Sequence, residues 1–256
     1  MGPPDDWPSD AGSDGHAPQL SSVAHLHLLG HFSLLVDDSI QLLTPAAARI
    51  VAFLALRGRA TPRAVLAERL WPDRPEARAR ANLRATIWRM PLTSRLVFCD
   101  RGGALSLVPS TVIDVQEMTD QCWELVRSGH DDEARVAGLA ALDLDLLSDL
   151  LPGWNDDWVL VDRERLRQLQ LHALESLANA LLRRGEMAEA IDAASRSLSM
   201  EPLRESAVRV LVSAHITSGN VSEAHRVVAT YRENMQRDLG LAPSSYLTEL
   251  LASAGT

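Results

Sequence analysis

The chain of 256 residues is long enough for two domains of ordinary size, each with its own buried core. It has a formal net charge of −9, all 25 of its basic residues are arginine, and 46% of its residues are hydrophobic. Its two cysteines, Cys99 and Cys122, argue against a disulfide framework or a thiolate metal cluster. No apolar run reaches the roughly 18 residues that a membrane span needs. We therefore expect a cytoplasmic protein with no membrane contact, no bound metal and no cofactor.

The first 22 residues are rich in Pro, Gly, Ser and Asp and contain no lysine or arginine. This composition predicts a disordered tail rather than a signal peptide. From Ala24 to Leu42, apolar residues alternate with polar ones in short runs, which is typical of strands. Asp37 and Asp38 interrupt the alternation and predict a turn. A small antiparallel sheet is therefore expected before the first helix.

Three helices are predicted next, over residues 45–57, 62–70 and 75–90. The first two share a start signal, in which a threonine (Thr44 or Thr61) precedes a proline. The threonine hydroxyl is the expected N-cap, and proline is tolerated at the first helical position. A glycine or a proline follows each helix closely and predicts its end.

Two strand-like runs, residues 96–99 and 105–108, follow the third helix. The intervening Asp-Arg-Gly-Gly sequence predicts a β-hairpin with Arg101 at its tip. A small sheet, three helices and a hairpin, in this order, indicate a winged helix-turn-helix with an antiparallel strand platform in front. In that fold the third helix enters a DNA groove, and the hairpin wing touches the neighbouring groove or backbone. We expect this DNA-binding domain to span residues 23–110.

The charge distribution agrees with this interpretation, because residues 45–101 contain twelve arginines and only four acids in an otherwise acidic chain. On a helical wheel of the third helix, an apolar stripe lies roughly opposite a second face, the predicted base-facing surface. Arginine recognises guanine, asparagine recognises adenine, and a small residue allows close approach to a thymine methyl group. The alternative interpretation is an arginine-rich, solvated face of an ordinary amphipathic helix. The predicted base-facing surface consists of Arg78, Asn82, Ala85, Thr86 and Arg89.

The second half of the chain contains an internal repeat. The pattern G-x-x-x-E-A begins at Gly185 and again at Gly219, a separation of 34 residues that is typical of tetratricopeptide helix pairs. A third copy begins at Gly129, and Pro202 fits a break between units. An all-α, tetratricopeptide-like domain is therefore predicted over residues 111–256. Residues 102–256 have a net charge of −11, which disfavours DNA contact and favours protein partners.

Catalysis is not expected. The chain has no phosphate-binding loop, no zinc-protease motif, no nucleophile elbow and no dinucleotide-binding fingerprint. The histidines at positions 25, 27 and 31 lack a partner at metal-ligand spacing, so they fit ordinary strand residues. The three aspartates within residues 156–162 fit a solvated or helix-capping turn better than a catalytic pair.

Five segments together resemble a known family. Residues 26–38, 66–73 and 79–89 look like the OmpR/PhoB-type DNA-binding domain, in the form found in the SARP family of antibiotic-pathway activators of actinomycetes. Residues 150–166 and 237–250 resemble the bacterial transcriptional activator domain that follows it in that family. The resemblance covers nearly the whole chain after the tail, and the segments occur in the family's order.

The resemblance implies a sequence-specific activator of transcription. In that class, the positions of Asn82, Ala85, Thr86 and Arg89 face the bases, and Trp71 lies near the phosphate backbone. Two protomers would bind direct repeats in double-stranded promoter DNA, and the helical domains would contact RNA polymerase or its sigma factor. A repressor or architectural DNA binder with the same fold remains open, and so does a tetratricopeptide adaptor whose basic helix is incidental.

Five further side chains belong to these expectations. Arg63 and Arg101 are expected to contact phosphates, and Arg84 either contacts phosphate or is simply solvated. Trp154 and Trp158 lie in the segment that resembles the activator domain. They could anchor a partner, but packing in the core is the favoured interpretation.

Overall fold

The structure, a computed structural model, describes residues 23–95, 97–127 and 148–253. The predicted tail over residues 1–22 and the repeat copy that begins at Gly129 lie outside these ranges. Within them, the chain is mainly helical with a small β part, as predicted. None of the described helices is long and apolar enough to cross a membrane.

The described chain begins with three antiparallel strands, β1 (Ala24–His27), β2 (Ser33–Val36) and β3 (Ser39–Ile40). Burial alternates along β1 and β2, because successive side chains of a strand point to opposite faces. Asp37 and Asp38 have φ values of 49° and 60°. Positive φ at both central residues is typical of the tight hairpin turns that match strand twist. The predicted strands and turn are confirmed.

Three helices follow: α1 (Pro45–Arg57), α2 (Arg63–Leu70) and α3 (Glu76–Arg89). The first begins and ends as predicted. The Thr44 hydroxyl oxygen accepts a hydrogen bond from the Ala47 N–H at 3.3 Å. Gly58 adopts the left-handed conformation, at φ 61°, and its N–H donates to the Leu54 carbonyl. Both contacts satisfy backbone groups that a helix terminus leaves without an internal partner.

The prediction that Thr61 caps α2 is wrong. Thr61 and Pro62 form a short strand, β4, and the Thr61 hydroxyl donates to the Arg59 carbonyl at 3.4 Å. The Thr61 backbone pairs instead with Leu105 in the wing sheet. This pairing holds Thr61 away from the geometry of an N-cap, so α2 has no side-chain cap.

The predicted hairpin is confirmed, but its two strands begin and end at residues other than those predicted. Its strands are β5 (Phe98–Arg101) and β6 (Ala104–Leu107), and β6 lies between β4 and β5. Gly102 and Gly103, at φ 61° and 86°, form the whole turn. Arg101 pairs with Ala104 as the last residue of a strand and does not occupy the tip. A short helix that the sequence did not predict, α4 (Leu92–Arg95), joins α3 to this wing.

A further strand and helix connect the two halves of the chain. Strand β7 (Thr111–Ile113) pairs in parallel with β1 and completes the first sheet, in the order β3-β2-β1-β7. Helix α5 (Asp114–Arg127) follows it directly. The Asp114 carboxylate accepts hydrogen bonds from the N–H groups of Leu28 and Leu29 at 2.9 and 3.1 Å. The start of α5 is thereby tied to the end of β1.

The second half of the described chain is an array of antiparallel helix pairs. Gly185 ends the first helix at φ 79°. Ala190 and Ala224, the alanines of the two repeat copies, are both fully buried where neighbouring helices approach each other. These placements confirm the tetratricopeptide-like architecture. The helices are α6 (Asp157–Arg184), α7 (Met187–Met200), α8 (Glu205–Thr217), α9 (Val221–Leu239) and α10 (Ser245–Ser253).

The segment before α6 attaches this array to the N-terminal half of the described chain. The Leu151 N–H donates to the Leu28 carbonyl and the Gly30 N–H to the Asp149 carbonyl, each at 2.8 Å. Trp154 stacks on Phe32 with ring centres 5.8 Å apart. Trp158 meets Phe53 of α1 edge to face at 5.2 Å. The core role predicted for the two tryptophans is correct, and the core they fill is shared by both halves.

Two ion pairs cross the same junction, Arg49 with Asp156 and Arg57 with Asp162. Both arginines lie on α1. Burial raises the pKa of the Asp162 carboxyl group, and the positive charges of Arg57 and Arg165 oppose that rise. The acidic turn is therefore not the solvated or helix-capping turn that the sequence suggested, although Asp157 within it is exposed. It pairs with arginines that lie more than a hundred residues earlier in the chain.

We predict that Trp158→Ala lowers the free energy of unfolding by about 3–5 kcal/mol, because it removes a buried ring from the shared core. The matched control is Trp88→Ala, since Trp88 is 76% exposed and Trp158 only 8%. The control should change stability by about 0.5 kcal/mol or less. Urea denaturation of the full chain measures both. Equal costs for the two variants would contradict the junction described above.

Candidate nucleic-acid interface

Helix α3 is anchored by one apolar stripe. Ala79, Leu83 and Ile87 are buried, and so is Met90 directly after the helix. These are the residues that the helical wheel predicted for packing, and they belong to the core that both halves share. The opposite side of α3 is consequently presented to solvent.

The predicted base-facing surface lies on that open side. Arg78 and Arg89 are exposed, and Asn82, Ala85 and Thr86 between them are partly buried. Small side chains in the middle of this face leave room for a close approach, and the two arginines stand one at each end. None of the five is enclosed by the protein's own interior.

The arginines of α3 differ in their partners. Arg80 forms an ion pair with Glu76, one turn earlier on the helix. Arg78, Arg84 and Arg89 form no ion pair with any residue that the structure describes. Their charges are therefore available to an external anion.

The wing is held against the start of α2 by Arg63. The Arg63 guanidinium group lies 2.8 Å from the Asp100 carboxylate, and the Arg63 backbone N–H donates to the Gly103 carbonyl at 3.1 Å. Asp100 also accepts from the Gly103 N–H at 3.2 Å. Arg63 is thus engaged in positioning the wing, which the sequence did not indicate. The Arg101 side chain lies outside the described part of the structure.

Trp71 ends α2, at the turn that leads into α3. It is half-buried and packs against the shared core, and its carbonyl accepts from the Arg74 N–H at 3.1 Å. The expected proximity of Trp71 to phosphate stays a prediction.

Sequence reasoning did not single out Trp88, although it is 76% exposed on α3. It lies one helical turn after Arg84 on the same flank of the helix. The helical wheel contained the signal, because Trp88 falls outside the apolar stripe.

A winged helix-turn-helix with an open, basic third helix, joined to an array of antiparallel helix pairs, is the architecture of a bacterial transcription regulator. Residues 115–253 match the family of the bacterial transcriptional activator domain, and the chain belongs to that family. The resemblance to the SARP regulators is thereby confirmed.

Two curated relatives share the matched region. The chain is 30% identical over 209 residues to the regulatory protein AfsR of Streptomyces coelicolor, and 26% identical over 213 residues to the regulatory protein AfsR of Streptomyces griseus. In both cases the match covers 79% of this chain and 21% of the relative. The chain therefore spans about a fifth of the length of these relatives.

One solved structure is similar over most of the chain. It is Mycobacterium tuberculosis EmbR, solved in complex with a low-affinity phosphopeptide. The TM-score is 0.70 at 20% sequence identity, and the match covers 91% of this chain and 65% of that one. At this identity the similarity establishes the fold, including the arrangement of a winged helix-turn-helix before the helical array.

We predict that phenylglyoxal, which modifies accessible guanidinium groups, reacts with Arg78, Arg84 and Arg89 before it reacts with Arg49 and Arg57. The first group is exposed, whereas the α1 pair is engaged with aspartates across the junction. Peptide mass spectrometry of partially modified, folded protein measures the order. Simultaneous modification of both groups would contradict the described placement.

Proposed function

We propose that this protein is a sequence-specific DNA-binding activator of transcription that works in the cytoplasm without a cofactor. The observation that carries the proposal is the open face of α3, which combines arginine, asparagine and small side chains on a helix anchored from behind. Membership of the bacterial transcriptional activator domain family supports it. The helix is 14 residues long and would lie in the major groove, which admits one α-helix.

Base recognition would come from the predicted base-facing surface. Arg89 would donate two hydrogen bonds to a guanine edge, and Asn82 would pair with an adenine edge. Ala85 and Thr86, between them along the helix, would lie against thymine methyl groups. Arg78, at the start of the helix, would recognise a further base or the adjacent phosphate.

Contacts with the DNA backbone would come from the flanks of the site. Arg84 has no ion pair among the described residues and would meet a phosphate beside the groove. Arg101 would place a second positive charge on the wing, and Trp71 would lie near the phosphates at the turn. Arg63 would act mainly by holding the wing in position, because its guanidinium group already pairs with Asp100.

The helical array would act on other proteins. We propose that two protomers lie head to tail on direct repeats about one helical turn apart, with one α3 in each major groove. The acidic helical domains would stay clear of the DNA, hold the pair together, and contact RNA polymerase or its sigma factor. The sequence resemblance alone suggests that the target is a secondary-metabolite gene cluster, such as one for an antibiotic.

Replacing Arg89 or Asn82 by alanine should weaken binding to the preferred promoter by about 1–3 kcal/mol and relax base preference, because each would lose a bidentate contact. Arg84→Ala should instead weaken binding to all sequences alike and reduce the salt dependence by about one phosphate. Arg226→Ala, an exposed arginine of α9, is the matched control and should have no effect. Fluorescence anisotropy with promoter and scrambled duplexes, at several salt concentrations, measures all four.

Unchanged affinity and base preference for Arg89→Ala and Asn82→Ala would show that α3 is not the recognition helix. If the wild-type protein bound no duplex at all, the tetratricopeptide adaptor would be favoured instead. Neither substitution should unfold the protein, because Arg89 is exposed and Asn82 is only partly buried.

Run-off transcription with purified bacterial RNA polymerase separates an activator from a repressor. We expect wild-type protein to increase transcript from a promoter that it binds, and Arg89→Ala to lose that increase in parallel with DNA affinity. A decrease in transcript with increasing protein would identify a repressor with the same fold.

A further inference from the structure

A cavity of about 710 Å³ lies at the junction of the two halves, between α1, α5 and α6. This volume falls within the range of roughly 300–1,000 Å³ that small-molecule sites occupy. The DNA-binding half contributes the end of α1, and the helical array contributes α6. Neither base recognition by α3 nor the packing of the helix pairs requires a space at this position.

The floor of the cavity is apolar and firmly held. Ala55, Val115, Leu150 and Leu166 line it and are each less than 10% exposed. Trp123 of α5 lines the cavity too, and 39% of its surface remains exposed. The Arg127 guanidinium group lies over the Trp123 ring, 5.6 Å from its centre. The indole surface that Arg127 leaves uncovered and the aliphatic floor together suit a flat, apolar molecule.

Several polar side chains around the cavity already have partners. The Gln116 amide donates to the Ala55 carbonyl at 3.2 Å, and the Thr119 hydroxyl donates to the Val115 carbonyl at 2.6 Å. Asp162 is paired with Arg57. These groups therefore form part of the cavity wall, and other side chains would recognise a ligand.

The charged groups left for a ligand are Arg165 and His172 on α6 and Asp120 on α5. Arg165 and Asp120 make no hydrogen bond or ion pair with any residue in the described ranges, and both are exposed at the mouth. The His172 Nδ1 atom lies 3.7 Å from Glu175, which leaves the opposite ring nitrogen available. Two groups of basic character thus share α6, and a carboxylate faces them from α5.

We propose that this cavity binds a hydroxylated aromatic acid. The flat ring system would lie between Trp123 and the apolar floor. Its acid group would pair with Arg165 and accept a hydrogen bond from His172, and a ring hydroxyl would donate to Asp120. A ligand without an acid group would leave Arg165 without a partner, and a ligand without an apolar body would leave the floor uncovered.

The position of the cavity gives such a ligand a regulatory consequence. It would touch α1 of the DNA-binding half and α6 of the array at once, so it would bind best when the two are docked as the structure has them. A ligand that favours one arrangement shifts the population toward it, by no more than its difference in affinity for the two. Docking fixes where α3 lies relative to the array, and ligand binding would therefore be coupled to promoter binding.

The test uses 8-anilinonaphthalene-1-sulfonate, an aromatic acid whose fluorescence increases in apolar sites, with the full chain. We expect saturable binding at one site, with energy transfer from tryptophan. Arg165→Gln should weaken that binding about tenfold, because it removes a charge-assisted hydrogen bond. Arg183→Gln is the matched control on the same helix, since Arg183 is exposed and does not line the cavity, and it should bind the probe like wild type.

Leu169→Trp provides a second variant, because Leu169 lines the cavity and a larger side chain would fill it. It should abolish probe binding while the circular dichroism spectrum and melting temperature stay close to wild type. If Leu169→Trp unfolds the protein, Arg165→Gln still decides the question at an exposed position.

Two results would overturn the proposal. One is probe binding that Arg165→Gln leaves unchanged, and the other is no saturable binding to the intact chain. Promoter affinity, measured without the probe, is a separate experiment. Its outcome tests the DNA-binding proposal independently of the cavity.

Discussion

The junction between the two halves is the contact on which the rest of the structure depends. Residues 149–158 form backbone hydrogen bonds with the segment directly after β1 and place two tryptophans on Phe32 and Phe53. Apolar burial supplies most of the stabilisation there, because the paired charges must lose part of their hydration. The ion pairs Arg49–Asp156 and Arg57–Asp162 instead favour one docking arrangement over others. The orientation of α3 relative to the helical array follows from that arrangement.

Ion pairs at the same junction neutralise some of the arginines that form the basic block of the sequence. The arginines of α1 are neutralised internally by aspartates of the array, although they belong to the basic block. Arg63 is neutralised by Asp100 in the wing. Arg78, Arg84 and Arg89 form no ion pair with a described residue, so part of the unpaired positive charge is localised on the open face and flank of α3. A localised field of this kind orients a polyanion, whereas a diffuse one only attracts it.

Local chemistry made much of the fold predictable. Thr44, the Asp37-Asp38 turn and Gly58 after α1 act through hydrogen bonds and backbone geometry within a few residues, so their effects could be inferred directly. The apolar stripe of α3 and its open face followed from periodicity. Thr61 was misjudged because its backbone pairs with a strand more than forty residues later. The ion pair of Arg63 with Asp100 in that hairpin could not be inferred for the same reason.

The sequence by itself determined the order and type of most elements, the helix repeat, the family, and the residues on the open face of α3. These depend on contacts within one helix, one hairpin or one repeat, where the separation of two residues along the chain fixes their separation in space. Only the tertiary structure decided which arginines are free, where Trp154 and Trp158 pack, and that a cavity lies between α1, α5 and α6. Those features join residues about a hundred positions apart, and no local pattern records which distant side chain will meet a given charge or ring.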